Sequence, residues 1–214
     1  MDFVGRSPEL KTLQTFYESP NAGLLILYGR RRIGKTRLIT HFLEQRQTAP
    51  LFYWMATTHN EAYQLRDFSQ AILSYDPRMS GPPTTDFTFA SWEAALHHLA
   101  DIVALSSQPH LLVLDEFTYL LRNEPAISSI FQKVWDHRLS HIPQLKLILI
   151  GSLIGMMARE VFAYQAPLYG RATAQIRLRP LPYAAVMALF PERRADERVA
   201  IYGVTGGVPA YLEL

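Results

Sequence analysis

Residues 29–36 read Gly-Arg-Arg-Arg-Ile-Gly-Lys-Thr, two glycines separated by four residues and followed by an amine and a hydroxyl. Glycines at those positions let the backbone curl until successive N–H groups face inward, which is how a loop cradles phosphate oxygens. Lys35 then reaches the β and γ phosphates of a nucleotide, the hydroxyl of Thr36 suits Mg²⁺, and the N-terminus of the following helix adds partial positive charge. The alternative is an ordinary glycine-rich turn. Against it, the apolar run GLLILYG precedes the loop and the helical pattern TRLITHFLEQ follows it, the context a phosphate loop requires. Such a loop does not need Arg30, Arg31 and Arg32 to bind phosphate. At most one of them is expected to approach the γ-phosphate or an acidic residue, while the others face a lid, a neighbouring subunit, an anionic partner or solvent.

The second half of a nucleotide site lies in LLVLDE, four apolar residues ending in Asp115 and Glu116. Adjacent side chains at a strand end diverge, so one acid can serve the Mg²⁺ shell while the other faces the γ-phosphate. Asp115 suits the metal, through water, and Glu116 can polarise an attacking water. Two adjacent acids after a strand are otherwise a common loop start. Ser152 ends the run LKLILIG and carries two readings, a sensor of the γ-phosphate or lytic water and a cap on the next helix. Arg171, before the run TAQIRL, reads either as an arginine finger, in its own subunit or a neighbour's, or as a surface or structural ion pair.

Other chemistry-bearing residues have blander readings. His137 and His141 have the i,i+4 spacing of a metal pair but no carboxylate or cysteine pattern completes it, so solvent exposure is expected. Phe52, Tyr53 and Trp54 could stack on a base, but they lie in a buried-strand pattern and are assigned to core packing.

Positioning these residues requires alternating strands and helices. The runs 23–29, 51–56, 110–115 and 145–151 read as strands buried on both faces, and 173–178, which alternates, as an edge. Between them, Trp92, Leu96, Leu99 and Val103 share one helical face, as do Ile127, Ile130, Phe131, Val134 and Trp135. Alternation of this kind means right-handed βαβ units in a parallel sheet with its ligand beyond the carboxyl ends of the strands. The stretch DPRMSGPPTTDFTF (76–89) reads as an inserted loop, and RPLP (179–182) as the boundary before a short helical appendage.

The 214 residues suffice for one α/β domain and a small appendage, and 49% apolar with 19% charged is a folding composition. A formal charge of +2 does not nominate a nucleic-acid binder. The lack of cysteine excludes disulfides, thiolate metal sites and cysteine nucleophiles. No signal peptide is recognisable at the N-terminus, and LILIGSLIGMMA (147–158) is too short to span a bilayer, so a soluble cytoplasmic protein without membrane partners is expected.

Taken in order, FVGRSPEL, YGRRRIGKTRL, LLVLDEF, LILIGSLIGMM, PLYGRATAQIRLRPLPY and TGGVPAYL resemble the archaeal-type ATPase family of P-loop AAA+ and STAND-like NTPases. The resemblance implies an ASCE-type α/β core, a five-stranded parallel sheet of order 5-1-4-3-2 sandwiched by helices, with a small partial helical lid. It implies a core over residues 1–180 and the start of the lid over 181–214. FVGR is similar to a box whose backbone lines the adenine site at Val4 and Gly5, buttressed by Arg6 and Glu9. GGVP is similar to an element that places Pro209 on the nucleotide from the lid. The implied nucleotide-contacting set is Val4, Gly5, Arg6, Gly29, Arg30, Arg31, Arg32, Ile33, Gly34, Lys35, Thr36, Arg37 and Pro209, with Thr36 and Asp115 toward Mg²⁺ and Lys35, Glu116, Ser152 and Arg171 as catalytic candidates. Relatives continue into a winged-helix module, so either an ATPase-domain fragment or a stripped-down relative is expected.

Three functions follow from these readings. The first is an Mg²⁺-dependent ATPase that binds ATP and ADP and serves a DNA- or partner-directed effector, alone or as a homo-oligomer; Glu116 favours it. The second is a switch that holds ADP or ATP with negligible turnover, favoured by the lack of a sensor arginine in GGVPAYL. The third, a small-molecule kinase, needs an acceptor-binding lid that the sequence does not offer.

Overall fold

In the computed structural model the described residues are 3–44, 46, 50–79 and 86–212. The apolar runs form five strands: β1 (Gly23–Tyr28), β2 (Leu51–Met55), β3 (His110–Asp115), β4 (Leu145–Gly151) and β5 (Ala174–Arg177). All pairings are parallel, in the order β2-β3-β4-β1-β5. This is the expected order, and it brings the carboxyl ends of β1, β3 and β4 side by side.

Ten α-helices among the described residues connect and cover the strands. They are α1 (Ser7–Glu18), α2 (Lys35–Glu44), α3 (Glu61–Tyr75), α4 (Trp92–Ala104), α5 (Phe117–Asn123), α6 (Ile127–His137), α7 (Ile154–Met157), α8 (Tyr183–Leu189), α9 (Ala195–Thr205) and α10 (Pro209–Leu212). Strand side chains alternate between faces, so each central strand feeds two cores. Leu24, Ile26, Leu112, Leu114, Leu147 and Leu149 pack with Phe68, Trp92, Leu99, Phe117 and Phe131 from α3 to α6. Leu25, Leu27, Leu111, Val113, Ile148 and Ile150 pack with Leu13 and Phe16 of α1 and Leu38, Ile39 and Phe42 of α2. The expected face of α4 is buried at Trp92, Leu96, Leu99 and Val103, and its start is fixed by Ser91, whose hydroxyl accepts the Ala94 N–H at 3.1 Å.

One strand reading is corrected. At the sheet edge where the expected order puts it, β2 is not buried on both faces: Leu51 and Met55 are 37% and 52% exposed while Phe52 and Trp54 are buried. A five-residue apolar run has the same appearance at an edge and in a sheet centre, because neighbours along the chain do not specify neighbours across the sheet.

After β5, residues Leu181, Ala185, Val186 and Leu212 form a small cluster of their own. Gly207 fixes the return of the chain toward the glycine-rich loop at 29–36. Its φ is +71°, and a Cβ there would lie 2.1 Å from the carbonyl oxygen of Leu181. Glycine alone permits that approach, and the Gly207 carbonyl in turn accepts the Leu181 N–H at 2.8 Å. Residues 80–85 of the expected inserted loop, and the terminal residues 213–214, lie outside the described residues.

Candidate nucleotide site

The glycine-rich loop turns from β1 into α2, and Lys35 opens that helix, 6% exposed. Its ammonium donates to the carbonyls of Gly29 and Arg30, both at 3.0 Å, so the loop curls around its own lysine. Burial draws the Lys35 pKa below the ordinary lysine value; Glu116 and then Asp115 oppose the shift, and Arg31 adds to it. Arg32 sits at φ +67°, a left-handed conformation costing a non-glycine residue about 1–2 kcal/mol. Strain of this kind in a tight loop is typical of functional sites.

The acidic end comes from β3. Asp115 is 2% exposed and its carboxylate takes three donors: the Thr36 hydroxyl at 2.9 Å and the Tyr53 hydroxyl at 2.5 Å on Oδ2, and the Glu116 backbone N–H at 2.7 Å on Oδ1. Tyr53 has its pKa pushed far up, first by burial and then by Asp115, so it stays a neutral hydroxyl donor. Glu116 is the N-cap residue of α5 with φ +52°, a second left-handed non-glycine. That turn sends its side chain away from that of Asp115 and toward β4, where Glu116 Oε1 accepts the Ser152 hydroxyl at 2.7 Å. Its other oxygen, Oε2, is buried and has no hydrogen-bond partner among the described residues. A buried orphan carboxylate oxygen is costly to leave unpaired, which points to a ligand or water as its partner.

Between the loop and the helices after β5 lies a cavity of about 440 Å³. Lys35, Thr36, Glu116 and Ser152 form its polar end, and Phe3, Val4, Leu181, Leu189 and Pro209 its apolar end. Arg6, 5% exposed, braces the wall by donating to the Ile33 carbonyl at 3.0 Å and pairing with Glu9 at 3.3 Å. Ile33, Gly34 and Arg37 also line the cavity, and Pro209 faces Gly34 closely enough that a Cβ there would be 3.8 Å from its ring. Gly5 does not line it; a Cβ at Gly5 would come within 2.5 Å of Ala185, so this residue lets the N-terminal box close on α8.

The three loop arginines separate. Arg31 and Arg32 line the cavity, whereas Arg30 lines a shallow depression with Ser152, Met156 and Arg159. Arg31 lies 5.6 Å from the ring centroid of Tyr119 and also donates to its hydroxyl. Gly29 contributes its carbonyl to Lys35 and does not line the cavity.

Arg171 is not brought to the site. Its guanidinium grips Asp136 of α6 with both forks, at 2.7 and 2.6 Å, and donates to the carbonyls of Pro167 and Tyr169 at 2.8 and 3.1 Å. Within the chain the ion-pair reading describes this arrangement, and Arg171 is not placed at the chain's own cavity. Ser152 likewise makes no capping bond, since the N-cap residue of α7 is Leu153. His137 and His141 are exposed, and no group of three acidic or histidine side chains able to hold a metal occurs among the described residues.

Sequence reasoning missed Tyr53 and Tyr119. Tyr53 was expected in the core and instead reaches Asp115; its one sequence signal is a hydroxyl on a strand whose neighbours, Phe52 and Trp54, carry none that is phenolic. Tyr119 lies three residues beyond Glu116 at the start of α5, a position whose side chain spacing alone does not direct to the loop.

A glycine-rich loop after β1, an acidic pair after β3 and a polar β4 end lying between them define a P-loop fold of the AAA+ type. A profile describing an ATPase domain predominantly from Archaea matches residues 3–214, and the chain belongs to that family. An uncharacterized protein of Methanocaldococcus jannaschii is 35% identical over 211 residues, covering 99% of this chain and 43% of that protein, so the chain spans less than half of this relative. Among solved structures, a Walker-type ATPase of Pyrococcus abyssi is similar in fold, with TM-score 0.69 and 21% identity over 99% of this chain and 66% of that one. The ORC1 protein of Aeropyrum pernix, solved in complex with DNA, is also similar, with TM-score 0.65 and 15% identity over 100% of this chain and 59% of that one. No helix among the described residues is long and apolar enough to cross a membrane.

Proposed function

We propose that the chain is the Mg²⁺-dependent ATP-hydrolysing part of an ATPase that couples nucleotide state to a DNA- or partner-directed effector. The observation that carries this reading is the Ser152–Glu116 contact beside Lys35, with Glu116 Oε2 buried and unpartnered. Lys35, released from the Gly29 and Arg30 carbonyls, meets the β and γ phosphoryl oxygens. Glu116 Oε2 accepts a proton from water as the water oxygen bonds to the γ phosphorus. The bond to the β–γ bridging oxygen breaks and ADP takes that electron pair. Ser152 holds the other carboxylate oxygen and so fixes the orientation of the carboxylate beside the cavity. A hydroxyl at Thr36 and a carboxylate at Asp115 are hard oxygen donors that would hold Mg²⁺. When bound, that ion neutralises charge developing on the phosphoryl oxygens. The apolar end of the cavity, at Val4 and Pro209, fits a nucleotide base. Residues 1–180 then act as the catalytic core and 181–214 contribute to a lid.

Steady-state phosphate release by the purified protein, with and without DNA, tests this reading against Glu116→Gln. Turnover in the native protein that disappears in the variant, with ATP still bound, is the expected result. Absence of turnover in every condition, with nucleotide bound, selects the alternative of an ATP/ADP-controlled switch. One observation favours that alternative: no arginine from the β4–β5 connection or from α8 to α10 lines the cavity among the described residues.

A further inference from the structure

Tyr53 is half-buried on the edge strand β2, where its backbone is in register with Val113 and that of Met55 with Asp115. Phe52 and Trp54 point to the opposite face and pack against Phe68. On its own face Tyr53 packs against the apolar cluster that carries Ile33, Leu38 and Ile39 of the loop and α2. Packing there needs only a ring. The hydroxyl instead reaches Asp115 Oδ2 at 2.5 Å, the same oxygen that accepts Thr36 Oγ1 at 2.9 Å.

Asp115 would be satisfied without it, since Thr36 and the Glu116 N–H already engage one oxygen each. What the third donor adds is direction. The Tyr53 hydroxyl holds Oδ2 from β2, a hold that persists if Thr36 turns its hydroxyl toward another partner. A phenolic oxygen that donates its proton can still accept a hydrogen bond, and Thr36 lies beside the Tyr53 hydroxyl.

We infer that Tyr53 is a positioning residue for the cation end of the site, holding Asp115 Oδ2 against Thr36 and offering its own oxygen to water on a divalent cation. This rests on the Mg²⁺–nucleotide reading of the site. It extends the second shell of a bound cation onto a strand that contributes no residue to the phosphate loop or the acidic turn.

The test is the affinity of a fluorescent ADP analogue, measured in EDTA and across a Mg²⁺ titration, for the native protein, Tyr53→Phe and Thr36→Ala. Tyr53→Phe keeps the ring and is expected to bind as tightly as native protein in EDTA while needing about fivefold to tenfold more Mg²⁺ for half its effect, the size expected for one ordinary hydrogen bond. An equal loss in EDTA and in Mg²⁺ would make Tyr53 merely structural and overturn the inference. A native Mg²⁺ response in Tyr53→Phe, with the response lost in Thr36→Ala, overturns the role of Tyr53 and leaves the metal reading standing. If Thr36→Ala keeps the native response, the metal reading falls, and the role of Tyr53 with it.

Discussion

Ser152 and Glu116 lie 36 positions apart in sequence and meet at 2.7 Å, because β3 and β4 are adjacent and the left-handed turn at Glu116 aims its carboxylate across the gap. Ser152→Ala frees Glu116 Oε1 without touching the phosphate loop. Phosphate release is expected to slow by about tenfold to a hundredfold, while ADP affinity stays within about twofold of native. A parallel loss of ADP affinity would assign Ser152 to binding instead.

Lys35→Ala removes the one buried ammonium at the polar end of the cavity. Charge-assisted hydrogen bonds to phosphate are the strong ones, so ATP affinity should fall by about tenfold to a hundredfold in equilibrium binding. Unchanged binding would contradict the assignment of residues 29–36 as the phosphate loop.

Arg171 and Asp136 form a two-pronged pair whose side chains are 25% and 37% exposed. A double-mutant cycle on thermal or urea unfolding should give a coupling of about 0.5–1 kcal/mol, the range for a partly solvated pair of good geometry. Nucleotide affinity is expected to be unchanged in Arg171→Ala. A large loss of turnover at native stability would reveal a role at the phosphates outside the present pairing.

Gly207→Ala sets a left-handed backbone against a carbonyl already in contact. Destabilisation of at least about 2 kcal/mol in urea unfolding is expected, together with weaker nucleotide binding as Pro209 shifts away from Gly34. The neighbouring Gly206 is also left-handed, but a Cβ there meets nothing within 4 Å, so Gly206→Ala should cost less.

Asp76 is buried and its carboxylate accepts two bonds from the Arg78 guanidinium, at 2.8 and 2.6 Å, and contacts His98 at 2.9 Å. Arg78, through these bonds above all, holds the Asp76 carboxyl well below the usual carboxylate range. A carboxylate depressed in the folded state contributes stability that is complete above its unfolded pKa, about 4, and is lost as pH falls through the folded value. Asp76→Asn should therefore narrow the difference in urea midpoint between about pH 6 and about pH 3. An unaltered acid limb would show that other carboxylates govern it.

Much of this protein was legible in one dimension because its informative features are local. The spacing of Gly29, Gly34, Lys35 and Thr36 specifies a loop conformation that depends on those residues and their immediate flanks. The alternation of apolar runs with 3.6-residue periodicity specifies strands and helices, and α4 and α6 bury the residues their periodicity marks apart from Ile130, which is only partly buried. The strand order came from the resemblance, and the sheet confirms it. Short helices such as α5, only seven residues long, gave no periodic signal to read.

By itself, then, the sequence determined the class of the fold and marked the glycine-rich loop and the acidic turn, since each is encoded within a few consecutive residues. Only the tertiary structure decided which side chains from distant segments share that site. It brought the Tyr53 hydroxyl to Asp115; it set Pro209 against Gly34; it gave Arg31 to Tyr119; and it committed Arg171 to Asp136. Those pairings depend on how strands are ordered and helices cross, distances of a few ångströms between residues far apart in the chain, and no local spacing carries that information.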